Sequence, residues 1–411
     1  MKKLKFGVIT DVHIPAFEAI EKNLYNALSI LKERNVDLLI IAGDLCDQSQ
    51  PWAYEMAKTV FDSAWGDFRP QMLVVPGNHD LASRVRVWDG KAAKERLTRF
   101  WGKDSVNTHL VLNGFHFLGT SSFSDESEGK QDGGILDWLE EELKTACTGD
   151  GRPVFVVTHN PPARTLPGSY KKTEDAHLGE ILKKYPQVVS ISGHTHFSLA
   201  DEKSILQRDF TMINAGGLYC VCPNEIPIPN REPLELKCRP ADAYRKFPTM
   251  LYAEVSEHEL RFERLYCNSG EKCGEDWIIP LPICKENFVY TDRRYEKAVP
   301  PHFSKGDFVK VFDMVNKDYA GDRRIQYAMV KIPTCDCRVV GFCYEIKNTV
   351  TGEILHGNTY SEIDDEVSVP KVFHIFMLEG LAAGNYEISV RAVETFGKLS
   401  DDSVTCTFTV A

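Results

Sequence analysis

Seven residues in the first half of this 411-residue chain carry side chains that bind metal ions, and they recur in short motifs. They supply imidazole, carboxylate and amide groups and no thiolate, a donor set that suits borderline metals such as Mn, Fe or Zn. Seven donors are enough for two ions, and a carboxylate can bridge two cations about 3.5–4 Å apart, the arrangement that clamps a phosphoryl centre. The seven residues are Asp11, His13, Asp44, Asn78, His159, His194 and His196.

Each of these motifs directly follows a short apolar run. The runs cover residues 4–10, 38–42, 72–75, 154–158 and 188–192. Amphipathic stretches over residues 20–34 and 52–65 are long enough to be crossover helices. Continuous apolar strands joined by helices predict an α/β fold with a largely parallel sheet that is buried on both faces. Ligands bind at the carboxyl ends of strands in such sheets, so we expect the seven residues to meet at one site.

Taken in order, the motifs resemble the signature of the calcineurin-like metallophosphoesterase superfamily. The likeness extends over about residues 4–265, and the five motifs together are far more specific than any one alone. Within the superfamily, the chain is similar to the small bacterial enzymes that include class III cyclic nucleotide phosphodiesterases. The resemblance implies a four-layer αββα fold and a metal-dependent phosphoric ester hydrolase. The motifs are Asp11-x-His13, Gly43-Asp44, Gly77-Asn78-His79-Asp80, His159 and Gly193-His194-x-His196.

The resemblance also implies a dinuclear centre of two divalent or trivalent metal ions, with Mn, Fe and Zn all left open. Its ligands are Asp11, His13 and His196 for the first ion, Asn78, His159 and His194 for the second, and Asp44 between them.

A catalytic group follows from the same resemblance. His79 matches the histidine that protonates the leaving group or stabilises the phosphoryl oxygens, and Asp80 matches the acidic residue that orients it. A carboxylate bound to one ring nitrogen fixes the imidazole tautomer and leaves the other nitrogen for the substrate. The implied reaction is in-line attack of a metal-bound hydroxide on phosphorus, with Asn78 and the metals holding the phosphate oxygens.

Some neighbouring residues are less decisive. Gly43-Asp44 is followed by Leu45-Cys46-Asp47 without a tyrosine, which disfavours the purple acid phosphatases, and Cys46 is not an obvious ligand. Two cysteine pairs have one intervening residue, closer than usual zinc spacing, and we interpret them as incidental thiols. Basic residues after His159 and an insertion over residues 222–248 either are solvated or contact the substrate. The cysteine pairs are Cys220 with Cys222 and Cys335 with Cys337, and the basic residues are Arg164, Lys171 and Lys172.

The C-terminal part changes to short strands separated by turns, which predicts a β-sandwich. Residues 378–393, with Tyr386, resemble the end of a fibronectin type III domain and its tyrosine corner. We therefore expect a catalytic domain over residues 1–267, an irregular connector over 268–304 and a fibronectin type III-like sandwich over 305–411. The sandwich packs against the catalytic domain or mediates oligomer contacts, and both interpretations stay open.

Composition limits the possible partners. The net charge of −11 makes a nucleic-acid partner unlikely, and no apolar stretch is long enough for a membrane partner or a membrane helix. Twelve cysteines without a disulfide framework predict a reducing, cytoplasmic location. We expect a small phosphorylated substrate and a possible homo-oligomer. Phosphodiester and phosphomonoester hydrolysis both remain open, and the alternatives are a nuclease with the same metal chemistry and a catalytically silent binding module.

Overall fold

The computed structural model describes residues 3–15, 19–83, 87–121, 133–169, 176–221, 248–318, 321–360, 372–378 and 380–411. The described residues up to Asp292 form one compact unit, and those from Arg293 onward form a second. None of the described helices is long and apolar enough to cross a membrane.

Helices and strands alternate along much of the first unit. Its helices are α1 (Ile20–Glu33), α2 (Pro51–Trp65), α3 (Asn78–Leu81), α4 (Gly90–Trp101), α5 (Gly133–Ala146) and α6 (Ala176–Leu182). Its strands are β1 (Leu4–Ile9), β2 (Leu38–Ala42), β3 (Gln71–Val75), β4 (Ala82–Ser83), β5 (Val87–Trp88), β6 (Thr108–Leu112), β7 (Phe115–Gly119), β8 (Val154–Val157), β9 (Val188–Ser192), β10 (Ile205–Gln207), β11 (Thr211–Asn214), β12 (Thr249–Val255), β13 (Glu259–Tyr266) and β14 (Trp277–Pro280).

Two six-stranded mixed sheets form the centre of this unit. The first has the order β14-β13-β12-β1-β2-β3 and the second β10-β11-β9-β8-β7-β6. The strands β1, β2 and β3 are parallel to one another, as are β7, β8, β9 and β11. Every residue of β2, β8 and β9 is buried, as expected for parallel strands covered on both faces.

The two sheets pack face to face, and helices cover their outer faces. The Phe6 ring of β1 lies 5.5 Å from the Phe117 ring of β7 and 5.1 Å from the Phe155 ring of β8. The buried stripe of α1 packs on the first sheet together with α2, and residues of α5 and α6 pack on the second. This arrangement confirms the predicted four-layer αββα fold.

The predicted connector over residues 268–304 contains regular structure. Strand β14 pairs with β13, so that Trp277 lies opposite Phe262 and Ile279 opposite Leu260. Both Trp277 and Ile279 are buried, which stabilises a strand of only four residues among turn-forming glycines and prolines. The first compact unit accordingly extends to Asp292, whereas the domain limits taken from the sequence stay a prediction.

The second unit is an all-β sandwich preceded by one short helix. Its elements are α7 (Arg293–Lys297), β15 (Val309–Asp318), β16 (Gly321–Lys331), β17 (Val339–Asn348), β18 (Ile354–Tyr360), β19 (Phe373–Leu378), β20 (Gly384–Glu394) and β21 (Val404–Val410). One sheet has the order β15-β16-β19 and the other β18-β17-β20-β21. The hydroxyl of Tyr386 donates a hydrogen bond to the Ala382 carbonyl at 2.9 Å, the contact expected of a tyrosine corner.

Candidate metal centre

The polar motifs meet where parallel strands of both sheets end. Asp11 and His13 follow β1, Asp44 follows β2, and Asn78 begins α3 just after β3, all in the first sheet. The second sheet contributes His159 after β8 and both His194 and His196 after β9. Contacts of 4 Å or less link all seven predicted donors into one cluster. The structure therefore brings together every predicted donor.

One group within this cluster surrounds the Asp11 carboxylate. The Nε2 atoms of His196 and His13 lie 3.0 and 3.8 Å from Asp11 Oδ1. The three donor atoms are close enough to one another to hold a single metal ion. These three residues are the set that the family resemblance implied for the first ion.

A second group lies on the other side of Asp44. Asp44 Oδ2 is 3.1 Å from His159 Nε2 and 3.7 Å from His13 Nε2, so this oxygen lies between the two groups. The Nδ1 atom of His194 is 3.2 Å from Asn78 Oδ1, and its ring centroid is 5.2 Å from that of His159. The geometry fits the implied role of Asp44 as the carboxylate between two ions.

The backbone is bent at most of the donor residues. Left-handed φ values are uncommon for residues other than glycine, although Asp and His adopt them more readily than most. Such conformations persist only where the surrounding structure enforces them, and they cluster at functional sites. Eight described residues other than glycine have positive φ values, and five of them are predicted donors. These five are Asp11 (50°), His13 (53°), Asp44 (50°), His194 (69°) and His196 (54°).

Two glycines permit the close approach of the motif loops. A side chain at Gly43, which has a φ of 93°, would collide with the His159 ring. A side chain at Gly193 would collide with Thr10 and the Asp11 carboxylate. The glycines next to Asp44 and His194 are therefore needed so that loops from the two sheets can touch.

Backbone carbonyls orient two of the histidine rings. The Nδ1–H of His159 donates to the Ala42 carbonyl at 2.8 Å, and that of His196 donates to the Cys220 carbonyl at 3.1 Å. A ring whose Nδ1 carries the proton has an Nε2 lone pair that is available to a metal, and such outer contacts commonly fix metal-binding histidines. In both rings Nε2 is the atom that faces the carboxylates.

The chemistry of the cluster fits bound cations. Asp11 and Asp44 are buried carboxylates, and the buried Nε2 atoms of His13 and His159 have no hydrogen-bond partner. Buried polar atoms are nearly always hydrogen-bonded, so two such ring nitrogens beside two carboxylates suit a metal ion. Burial alone would lower the pKa of His159, but Asp44 and Asp11 outweigh it and raise that pKa to about 9. The cluster therefore favours positive charge.

The His79 ring has a different carboxylate partner from the one predicted. Its Nδ1 atom lies 3.1 Å from Asp47 Oδ1 and 3.1 Å from the Asp47 carbonyl oxygen. Burial opposes protonation of His79, but Asp47 and Asp44 outweigh it and raise its pKa. The sequence carried a signal for Asp47, since this carboxylate lies three residues after Asp44 in the loop that follows β2.

The Asp80 side chain contacts backbone amides instead. Its fully buried carboxylate accepts hydrogen bonds from the backbone amides of Gly77 (3.0 Å), Leu45 (3.2 Å) and Cys46 (2.9 Å). It thereby joins the loop after β3 to the loop after β2. That Asp80 orients His79 stays a prediction: the hydrogen-bonding partner described for the ring is Asp47, and the Asp80 carboxylate points toward the amides.

Of the other residues singled out in the sequence, Cys220 contacts His196, and the rest lie outside the cluster or outside the described residues. Cys46 is buried and belongs to none of the donor clusters among the described residues. The Arg164 amide donates to the Ser169 carbonyl at 2.7 Å in the loop after β8. Cys335 Sγ and Cys337 Sγ are 3.1 Å apart. Lys171, Lys172, Cys222 and the insertion up to residue 247 are outside the described residues.

Several known proteins are similar to this chain. Residues 4–198 match the family model of the calcineurin-like phosphoesterases. A probable cyclic nucleotide phosphodiesterase of Fibrobacter succinogenes is 29% identical over 208 residues, which cover 47% of this chain and 73% of that protein. A 3′,5′-cyclic-nucleotide phosphodiesterase of a Nostoc species is 26% identical over 207 residues, which cover 47% and 71%. A dimetal phosphatase structure from Danio rerio has 14% identity and a TM-score of 0.47, and the match covers 67% of this chain and 98% of that one.

Proposed function

We propose that this chain, whose residues 4–198 match the family model of the calcineurin-like phosphoesterases, hydrolyses the phosphodiester bond of a cyclic nucleotide. Two of the proteins named above carry the names probable cyclic nucleotide phosphodiesterase and 3′,5′-cyclic-nucleotide phosphodiesterase, which supports this substrate class over other phosphoric esters. The observation that carries the proposal is the cluster of two buried carboxylates, two orphaned histidine nitrogens and the neighbouring His79–Asp47 pair.

The seven donors are proposed as the ligands of two ions, with Asp44 between them. A donor set of imidazole, carboxylate and amide suits Mn, Fe or Zn. When bound, the two metal ions would lower the pKa of a water molecule and neutralise the charge of the phosphoryl oxygens. Asp11 is fixed for this role, because the His194 amide donates to its Oδ2 at 3.0 Å and the Thr10 hydroxyl at 2.8 Å.

His79 is proposed as the acid that protonates the leaving ribose oxygen. Its Nδ1 faces Asp47, which leaves Nε2 for the substrate, and its side chain is 22% exposed and therefore within reach of a ligand. When a water oxygen forms the new bond to phosphorus, the bond from phosphorus to the ribose oxygen breaks, and that oxygen takes the Nε2 proton. The proton that the attacking water loses passes to solvent, from which His79 is protonated again. The raised pKa of His79 keeps a larger fraction of the ring protonated for this step.

A substrate comparison tests the proposal. Protein loaded separately with Mn, Fe or Zn is incubated with 3′,5′-cyclic AMP, 3′,5′-cyclic GMP, 5′-AMP and single-stranded DNA, and the products are separated by chromatography. We expect a cyclic nucleotide to give a nucleoside monophosphate faster than any other conversion. Preferential cleavage of DNA would support the nuclease alternative, and release of phosphate from 5′-AMP alone would support a monoesterase.

A further inference from the structure

The three-stranded sheet of the second unit has apolar residues on both of its faces. Side chains alternate between the two faces of a strand, and the inward residues, such as Val309, Ala328 and Phe376, form the core of the sandwich. The residues between them on each strand face outward and are also mostly apolar. We call this set the outer patch: Phe312, Met314, Ile325, Tyr327, Met329, Phe373, Ile375 and Met377.

The strand register makes the outer patch continuous. Phe312 of β15 lies opposite Tyr327 of β16, and Tyr327 lies opposite Met377 of β19. Met329 pairs with Ile375 in the next row. The exposed fractions are 60% for Ile375, 55% for Met314, 43% for Phe373 and 42% for Met377, and the other four side chains are partly buried. A contiguous apolar surface of this kind marks an interaction site.

The other sheet of the same unit shows the contrast. Most of its outward residues on β17, β20 and β21 are polar, and many of these are exposed. A sheet face that meets only water normally carries such residues. They include Glu345, Lys347, Glu387, Thr405, Thr407 and Thr409. The outer patch therefore is a specific property of the sheet β15-β16-β19, and the sandwich core does not require it.

We propose that the outer patch is the interface between two copies of this chain, packed sheet against sheet about a two-fold axis. Such sheets stack about 10 Å apart with interdigitating side chains. At roughly 100 Å² for each half-exposed large side chain and less for the others, each copy would bury on the order of 600 Å², near the ~800 Å² per partner of a stable complex. The apolar composition also matches that of homodimer interfaces.

The charges next to the patch do not favour a charged partner. Lys310 and Lys331 both lie at the end where β15 begins, and Lys331 is paired with Asp307 at 2.6 Å. Two lysines at one end are too few to select an acidic protein or a nucleic acid.

Sedimentation velocity of the full chain over a range of concentrations tests this interface. We expect wild type to dimerise at about 10 µM, and Ile375→Lys to raise the dissociation constant about a hundredfold, because the change occurs twice in a two-fold interface. The matched control is Ile354→Lys on β18, which is 46% exposed in the other sheet and should leave the dimer unchanged. Met377→Lys is a second patch variant, and thermal unfolding monitored by circular dichroism verifies that each variant is folded.

Three results would overturn the proposal. One is a wild-type chain that stays monomeric, and another is a dimer that folded Ile375→Lys and Met377→Lys leave intact. The third is equal weakening by Ile354→Lys. In a monomer, peroxide oxidation of Met314, Met329 and Met377 read by mass spectrometry would show whether the chain itself covers the patch, since covered methionines oxidise slowly.

Discussion

The two units of this chain depart from ordinary burial in opposite directions. In the first unit, charged and polar side chains such as Asp11, Asp44 and His159 are buried at strand ends, although burying such groups is costly unless they are compensated. In the second unit, large apolar side chains such as Ile375 and Met314 are exposed on a sheet face. Each departure from ordinary burial therefore needs a partner of the matching kind, a cation for the buried polar groups and an apolar surface for the exposed sheet face.

The largest expected effect comes from a change at the centre of the buried polar cluster in the first unit. Asp44→Asn removes the charge that lies between the two donor groups, so we expect turnover of a phosphodiester to fall by more than about 10⁴-fold. Turnover of bis(p-nitrophenyl) phosphate and metal content by mass spectrometry measure this effect. Asp62→Asn is the matched control, because Asp62 has an exposed carboxylate on α2. Equal activity of wild type and Asp44→Asn would contradict the account.

The next effect concerns the leaving group. His79→Ala should cut the rate by roughly 10²–10⁴ without changing metal content, since general acid catalysis contributes about that factor. Steady-state rates on cyclic AMP and on an ester with an acidic nitrophenol leaving group measure it. The loss should be smaller for nitrophenol, which needs little protonation. An equal loss on both substrates would argue against His79 as the acid.

Metal removal tests whether the buried carboxylates of the first unit need a cation. All six tryptophans precede Arg293, so tryptophan fluorescence reports the unfolding of the first unit. Binding at about a thousand times the dissociation constant stabilises a folded state by roughly 4 kcal/mol. A chelator should therefore lower the melting temperature seen by fluorescence. Unchanged fluorescence melting after verified metal loss would indicate that the buried carboxylates need no cation.

A smaller pair of effects separates the two carboxylates near His79. Asp47→Asn should lower turnover about 10–100-fold, as is usual for a residue that orients a functional side chain, with little change in stability. Asp80→Asn should instead destabilise the first unit by about 1–3 kcal/mol, because its NH₂ group would face a backbone donor. Rates and urea unfolding of both variants decide the matter. The reverse pattern would restore Asp80 as the residue that orients His79.

Much of the candidate site could be predicted from the sequence, because each donor motif ends a strand that its apolar run already predicts. The carboxylate that contacts the His79 ring could not be predicted in this way. Asp80 is adjacent to His79 in the sequence, yet its carboxylate turns toward amides of Leu45 and Cys46, more than thirty residues away. Only the packing of the two loops decides which nearby carboxylate reaches the ring.

The fold was predictable where strands are long and uniformly apolar, and less so elsewhere. Strand β14 lies in the predicted irregular connector, where turn-forming residues surround its four residues. The ILHGNTY sequence of β18 does not predict a strand, because it carries little apolar alternation. In β19 the sequence FHIFML predicts a strand, but apolar residues on both faces hide which face is the core. The pairing of β19 with β16 and of β18 with β17 supplies the missing information, and this pairing belongs to the tertiary structure.

The most direct test of the central claim, that the buried polar cluster is a metal centre, is anomalous diffraction from crystals grown with Mn. We expect two peaks about 3.5–4 Å apart, with Asp44 in contact with both and Asp11, His13 and His196 around one of them. Absence of any peak beside Asp44 in a metal-saturated crystal, or a peak that avoids these donors, would contradict it.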